Sequence, residues 1–206
     1  MSKVLIVKAH PRSSENSYVL RGLDAFISAY KAAHSTDEIE ILDVFHAAIP
    51  ALDEDILSAW DDLRAGKKLE ELTAEQQRKL ADYDSYAAQF LAADKIVIAN
   101  PLWNLSIPAK LQQWVETVAV PGKTFRYTEN GPVGLASGKK VLHIQASGGV
   151  YHQQDLATTY LHTLLKLVGI DDMEDIILEG HMYQPEQAEA LSADFVAKIE
   201  QAATTF

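Results

Sequence analysis

The run Lys3-Val4-Leu5-Ile6-Val7-Lys8-Ala9 is apolar without interruption through its centre. A strand with one wet face alternates polar and apolar residues. An unbroken apolar run instead fits a parallel strand covered on both faces. The rest of the chain alternates strands with helical patterns. Residues 17–33 place Val19, Leu20, Leu23, Phe26, Ile27 and Tyr30 on one broad face, the spacing of an amphipathic helix. Residues 38–44 read as a second strand, through Ile39, Ile41, Leu42 and Val44. Thr73-Ala74-Glu75-Gln76 has the form of a capping box and predicts a helix from there to about residue 93. Residues 95–100, 139–146 and 173–179 complete the strands. Helices are expected over 108–118, over 156–168 with Gly169 as the C-terminal cap, and over 185–203. This α/β alternation predicts a doubly wound, five-stranded parallel sheet with helices on both faces. The flavodoxin-like strand order 2-1-3-4-5 fits the element count. Residues 1–206 then form a single domain. It carries a surface insertion or short helix pair near 55–72 and a short hairpin near 124–135, with Asn130-Gly131 as the turn signal.

Composition narrows the chemistry. With no Cys, disulfides, thiolate metal sites, thiol nucleophiles and iron–sulfur clusters are excluded. No run of ~18 apolar residues is present, so no membrane span is expected. The opening residues read as a strand rather than a signal peptide, which makes the cytoplasm the expected location. The formal charge is −11, from 18 basic and 29 acidic side chains. That balance opposes nonspecific binding to nucleic acid or anionic membranes. A phosphate site would have to be built locally, from backbone N–H groups, hydroxyls and Arg12.

Three loops at the carboxyl ends of the strands stand out, and ligands of open α/β sheets bind at that edge. The first, Ala9-His10-Pro11-Arg12-Ser13-Ser14-Glu15-Asn16-Ser17-Tyr18, leads into a helix at Ser17. A helix start offers unpaired N–H donors to a phosphate. The loop has neither a Gly-Lys-Ser phosphate motif nor a Gly-x-Gly-x-x-Gly fingerprint, which disfavours ATP, GTP and a standard dinucleotide. The plain alternative is that Ser17 only caps its helix and His10 is a surface residue. The second loop, Pro101-Leu102-Trp103-Asn104-Leu105-Ser106, holds an indole flanked by Pro101 and Pro108. Its competing reading makes Trp103 a core residue. The third, Gln145-Ala146-Ser147-Gly148-Gly149-Val150-Tyr151-His152, has paired glycines that admit a planar ligand close to the backbone, although an ordinary turn would look the same. Together the three suit a flat ring carrying a phosphate tail, as in FMN. The seven His are scattered and form no metal motif, so no metal ligand is expected. His143, within a strand, fits a satisfied core histidine. Asp53, Glu54 and Asp55 fit a solvated helix start.

These loops resemble the type 1 azoreductase family, the FMN-dependent NADH:quinone oxidoreductases or azobenzene reductases. The likeness runs nearly end to end. It rests chiefly on residues 100–111 and on Gly122-Lys123-Thr124-Phe125-Arg126-Tyr127-Thr128-Glu129-Asn130-Gly131-Pro132, with Ala146-Ser147-Gly148-Gly149 and Glu179-Gly180. It implies phosphate-side positions at His10, Glu15, Asn16 and Ser17. Glu15 would repel a phosphate, so Asn16, Ser17 and the Tyr18 N–H are the better donors. The ring segment falls on Pro101, Leu102, Trp103, Asn104 and Leu105, with a second ring loop at Ala146, Ser147, Gly148 and Gly149. Ser147 stands where the family usually has Arg. Tyr127 matches an aromatic on the substrate side, and family members are homodimers with the site at the interface.

The resemblance implies a ping-pong reaction through flavin N5. NADH or NADPH donates a hydride; a quinone, azo or nitroaromatic acceptor takes two electrons. The flavin is the redox centre, and no protein acid or base is singled out. Two alternatives stay open: a flavodoxin-like FMN electron carrier serving a protein partner, and a cofactor-free interaction module. The Tyr127 hairpin and residues 61–72 are expected to wall off the flavin, which argues against the carrier.

Overall fold

A computed structural model describes residues 1–206. In chain order the elements are β1 (Lys3–Lys8), α1 (Tyr18–Ala33), β2 (Glu38–Asp43), α2 (Glu54–Arg64), α3 (Ala74–Ala92), β3 (Lys95–Pro101), α4 (Ala109–Val118), β4 (Phe125–Thr128), β5 (Gly131–Gly134), β6 (Lys140–Ala146), α5 (Leu156–Leu167), β7 (Asp172–Leu178) and α6 (Ala188–Thr205). The main sheet runs β2-β1-β3-β6-β7, all parallel. With the β4–β5 hairpin set apart, this is the predicted order of five strands. Residues on one sheet face pack under α1 and α6, through Val4, Ile6, Val97, Leu142, Phe26 and Phe195. The other face packs under α3, α4 and α5, through Leu5, Ile98, Phe90, Trp114 and Leu161. Each central strand is therefore covered twice, which is why its sequence does not alternate.

Local chemistry sets the element ends. Ser17 caps α1, its Oγ accepting the Leu20 N–H at 3.3 Å. Thr73 and Gln76 form the expected capping box of α3. Gly169, at φ +96°, follows α5, and the Ile170 N–H reaches back to the Leu165 carbonyl at 2.9 Å. That pairing is a Schellman closure, whose left-handed residue favours glycine. Residues 54–64, within the expected insertion or short helix pair, form a helix capped by Asp53, which accepts the Ile56 N–H at 3.2 Å. Ile56 and Ala59 bury against Leu80, Tyr83 and Val120.

The hairpin turn differs from its prediction. Thr128 pairs with Gly131, so Glu129 and Asn130 form the turn and Gly131 follows at φ +105°. A turn followed by a left-handed glycine is a common hairpin geometry, and it moves the turn one residue toward the N-terminus. The last helix starts at Ala188, after a 3-10 turn at Pro185–Gln187. No helix is long and apolar enough to cross a membrane.

Candidate functional site

Strand order reverses between β1 and β3, which opens a crevice at their carboxyl ends. A cleft of about 620 Å³ lies there. From the first loop it takes His10, Pro11, Arg12, Asn16, Ser17, Tyr18 and Val19. From the second it takes Pro101, Leu102 and Trp103, and from the third Ala146 and Gly148. The three loops singled out in the sequence therefore meet in one cavity. Asn104, Leu105, Ser147 and Gly149 belong to the same loops but do not line it. Asn104 and Leu105 are exposed, Ser147 is buried, and Gly149 lies beside the Tyr151 ring.

The lining contains one Arg, two His and no carboxylate. In a chain of net charge −11, that is a local reversal of sign. Glu15 is exposed on the 3-10 turn Ser14–Asn16 and does not line the cleft. The start of α1 adds Ser17 and free backbone N–H groups at the positive end of the helix dipole. This donor set fits a phosphate.

His10 is buried, so it is not the surface residue of the plain alternative. Its Nδ1 accepts the Arg12 backbone N–H at 3.1 Å. Burial, then the charges of Arg12 and Lys8, hold its pKa below the ordinary imidazole value. The ring is therefore neutral near pH 7, with its proton on Nε2. Trp103 is 42% exposed, which excludes the core reading. Its ring lies 5.3 Å from that of His10 and 6.4 Å from that of Phe45. Trp103 and Ser106 exchange backbone hydrogen bonds at 3.1 and 3.0 Å around Asn104 (φ 51°) and Leu105 (φ 65°). Two successive left-handed residues make a tight turn of the I′ type, which holds the indole at the cleft edge.

The third wall has a partner that sequence reasoning missed. His181 and Met182 line the cleft, next to the quoted Glu179-Gly180 pair. The Gly180 N–H donates to the Gly149 carbonyl at 2.9 Å, and the Glu179 carboxylate accepts the backbone N–H groups of Tyr151, His152 and Gln153. A Cβ on Gly148 would lie 2.5 Å from Met182 Sδ. Gly148 thus admits a side chain from the neighbouring loop as well as leaving room for a ligand. Burial lowers the His181 pKa, an effect the Ser147 backbone partly offsets. Only the position of His181 after a strand end could have signalled it.

Tyr127 does not line the cleft. It is 74% exposed on β4, edge-on to Phe125 at 5.4 Å. Neither the hairpin nor residues 61–72 contribute to the lining, so within one chain they do not wall off the site. The 54–72 segment packs on α3 instead.

Known proteins align with this arrangement. Residues 2–203 match the family described as flavodoxin-like fold. A Streptococcus suis protein named FMN-dependent NADH:quinone oxidoreductase is 44% identical over 201 residues, 98% of each chain. A crystal structure of azoreductase from Bacillus anthracis superposes with a TM-score of 0.93 at 35% identity, covering 100% of both chains. A second Bacillus anthracis structure, an FMN-dependent NADH-azoreductase in complex with FMN, has a TM-score of 0.91 at 30% identity, covering 100% of this chain and 99% of that one. With its crevice at the β1/β3 reversal and its near full-length likeness to these proteins, the chain belongs to the flavodoxin-like family and, within it, to the FMN-dependent NADH:quinone oxidoreductases and azoreductases.

Proposed function

We propose that the cleft holds FMN and that the protein uses NADH to reduce quinones to hydroquinones and azo compounds to aromatic amines. The observation carrying this reading is the carboxylate-free lining at the α1 N-terminus, joined to an exposed indole and a glycine loop. When bound, FMN would supply the redox chemistry, taking a hydride from NADH and passing two electrons per cycle to the acceptor; one cycle reduces a quinone, and two cycles with two NADH cleave an azo bond to two amines. The chain binds and orients. Ser17 Oγ accepts from Leu20 N–H, which leaves its own O–H free to donate to a phosphate oxygen. Asn16, the Tyr18 N–H and His10 Nε2–H are further donors, and Arg12 supplies positive charge. Pro101, Leu102 and Trp103 form one wall for the ring, and Ala146 and Gly148 the other. A single open cleft favours sequential use by NADH and acceptor, a ping-pong order. Nitroaromatics are acceptors of similar flat shape.

Tyr127 reaches a site in this reading only from a second copy of the chain. The exposed apolar residues Tyr127, Val133 and Leu135 around the hairpin support a homodimer with the site at the interface. Steady-state kinetics with NADH and NADPH against a quinone and an azo dye test the reading. NADH-dependent turnover of both acceptors, with parallel lines in double-reciprocal plots, is expected. FMN-loaded protein that reduces neither acceptor would overturn it.

A further inference from the structure

A buried polar chain crosses the sheet beneath α5 and ends at the site loops. His143, in the middle of β6, is 3% exposed. Its Nδ1 lies 2.9 Å from Asp175 Oδ1 on β7, and its Nε2 lies 3.0 Å from Asn100 Oδ1 on β3. Asn100 Nδ2 donates to the Pro101 carbonyl and to Gln145 Oε1, both at 3.1 Å. Gln145 Nε2 donates in turn to Asp155 Oδ2 at 3.0 Å. The second oxygen of Asp175 meets His162 Nε2 at 2.7 Å, at the half-buried end of the chain.

Donor and acceptor roles along this chain are not free. Asp155 accepts the Thr158 N–H, the Thr158 hydroxyl and the Gln145 amide. Gln145 must then turn its NH2 to Asp155 and its carbonyl to Asn100. Asn100 must turn its NH2 to Gln145 and Pro101, and its carbonyl to His143. The His143 Nε2 therefore carries a proton. Asp175 stands at the other ring nitrogen and joins His143 on β6 to His162 on α5.

We infer that Asn100 and Gln145, anchored by His143 and Asp155, position the two strand ends from which the FMN loops start. Asn100 holds the Pro101 carbonyl at the head of the Trp103 loop. Gln145 precedes Ala146 at the head of the glycine loop. Burying polar side chains is costly unless each finds a hydrogen bond, and mere filling of the sheet would be met by a Val or Leu at residue 143.

This inference rests on the functional reading above. The test is FMN affinity joined to nitrogen–proton correlation NMR on histidine-labelled protein, with the His143 resonance assigned by its loss in His143→Gln. The parent should show a proton on His143 Nε2, the nitrogen facing Asn100, and Asn100→Leu should shift that resonance. An Nε2 without a proton in the parent protein would overturn the network. For positioning, Asn100→Leu should raise the FMN dissociation constant by about tenfold, the size of one lost buried hydrogen bond. Asp175→Asn, which preserves the Asn100 orientation, should raise it less. Equal affinity for Asn100→Leu and parent would overturn the positioning role. Asn100→Ser serves if the Leu variant does not fold, with the same expected weakening. A parent protein that binds no FMN defeats the functional reading while leaving the His143 spectrum to decide the hydrogen-bond order of the network.

Discussion

The backbone N–H of Arg12 donates to Nδ1 of His10 at 3.1 Å, which fixes the imidazole with its single proton on the opposite nitrogen. The same bond bends the first loop so that Arg12 and His10 both line the cleft. Ring, guanidinium and helix start thus form one anion-seeking corner in an acidic protein.

Acid should weaken the ligand-free protein at this corner. The folded pKa of His10 lies below 6.5, so the unfolded chain takes the proton first. The stability contributed by the neutral ring is complete above that value and lost as pH falls through the folded pKa. His10→Gln removes the titration. Between pH 7 and 5, urea midpoints of the parent should fall more steeply than those of the variant. Parallel falls would contradict the assignment.

Ser17→Ala should act twice. Loss of the cap on α1 should lower stability by about 1 kcal/mol. Loss of the free hydroxyl should weaken FMN more than riboflavin, which lacks the phosphate. Fluorescence titration of both flavins separates the two effects, and equal weakening would exclude a phosphate contact.

Leu105 sits at φ 65°, where a side chain is strained, yet it is exposed and caps no core. Leu105→Gly should raise stability by roughly 1 kcal/mol by relieving that strain. If the strained turn serves to present Trp103, the same variant should lose kcat/KM for quinone. A more stable variant with undiminished turnover would remove the functional reading of the turn.

Gly134, on β5, lies against the Gly169 backbone after α5, and a Cβ there would collide with main-chain atoms. Main chain cannot swing aside as Met182 can beside Gly148. Gly134→Ala should therefore cost about 1–3 kcal/mol, the range of overpacked sites. Gly148→Ala should cost less stability and more FMN affinity. Thermal melts and FMN titrations of the pair check both directions.

The fold was readable because burial wrote itself into the sequence. Val4 to Val7 and Ile96 to Ile98 are covered on both faces, and Thr73 with Gln76 marks its helix start unaided. The meeting of the His10, Trp103 and Gly148 loops followed from strand order alone. Tyr127 was placed by likeness rather than by packing, and a single chain leaves it in solvent. Met182 gave no signal and His181 only its place after a strand end, because their loop is drawn in by the Gly180–Gly149 hydrogen bond between backbones. The I′ turn at Asn104-Leu105 was also hidden, since Leu is a poor marker for positive φ. The His143 chain joins residues as far apart as Asn100 and Asp175, a pairing that depends on sheet register.

The most direct test mixes the ligand-free protein with equimolar FMN under anaerobic conditions, then adds NADH and follows the yellow absorbance. Tight uptake of FMN, rapid bleaching by NADH and recovery of colour on adding a quinone are predicted. Protein that leaves FMN free in solution, or holds it without reacting to NADH, would contradict the account.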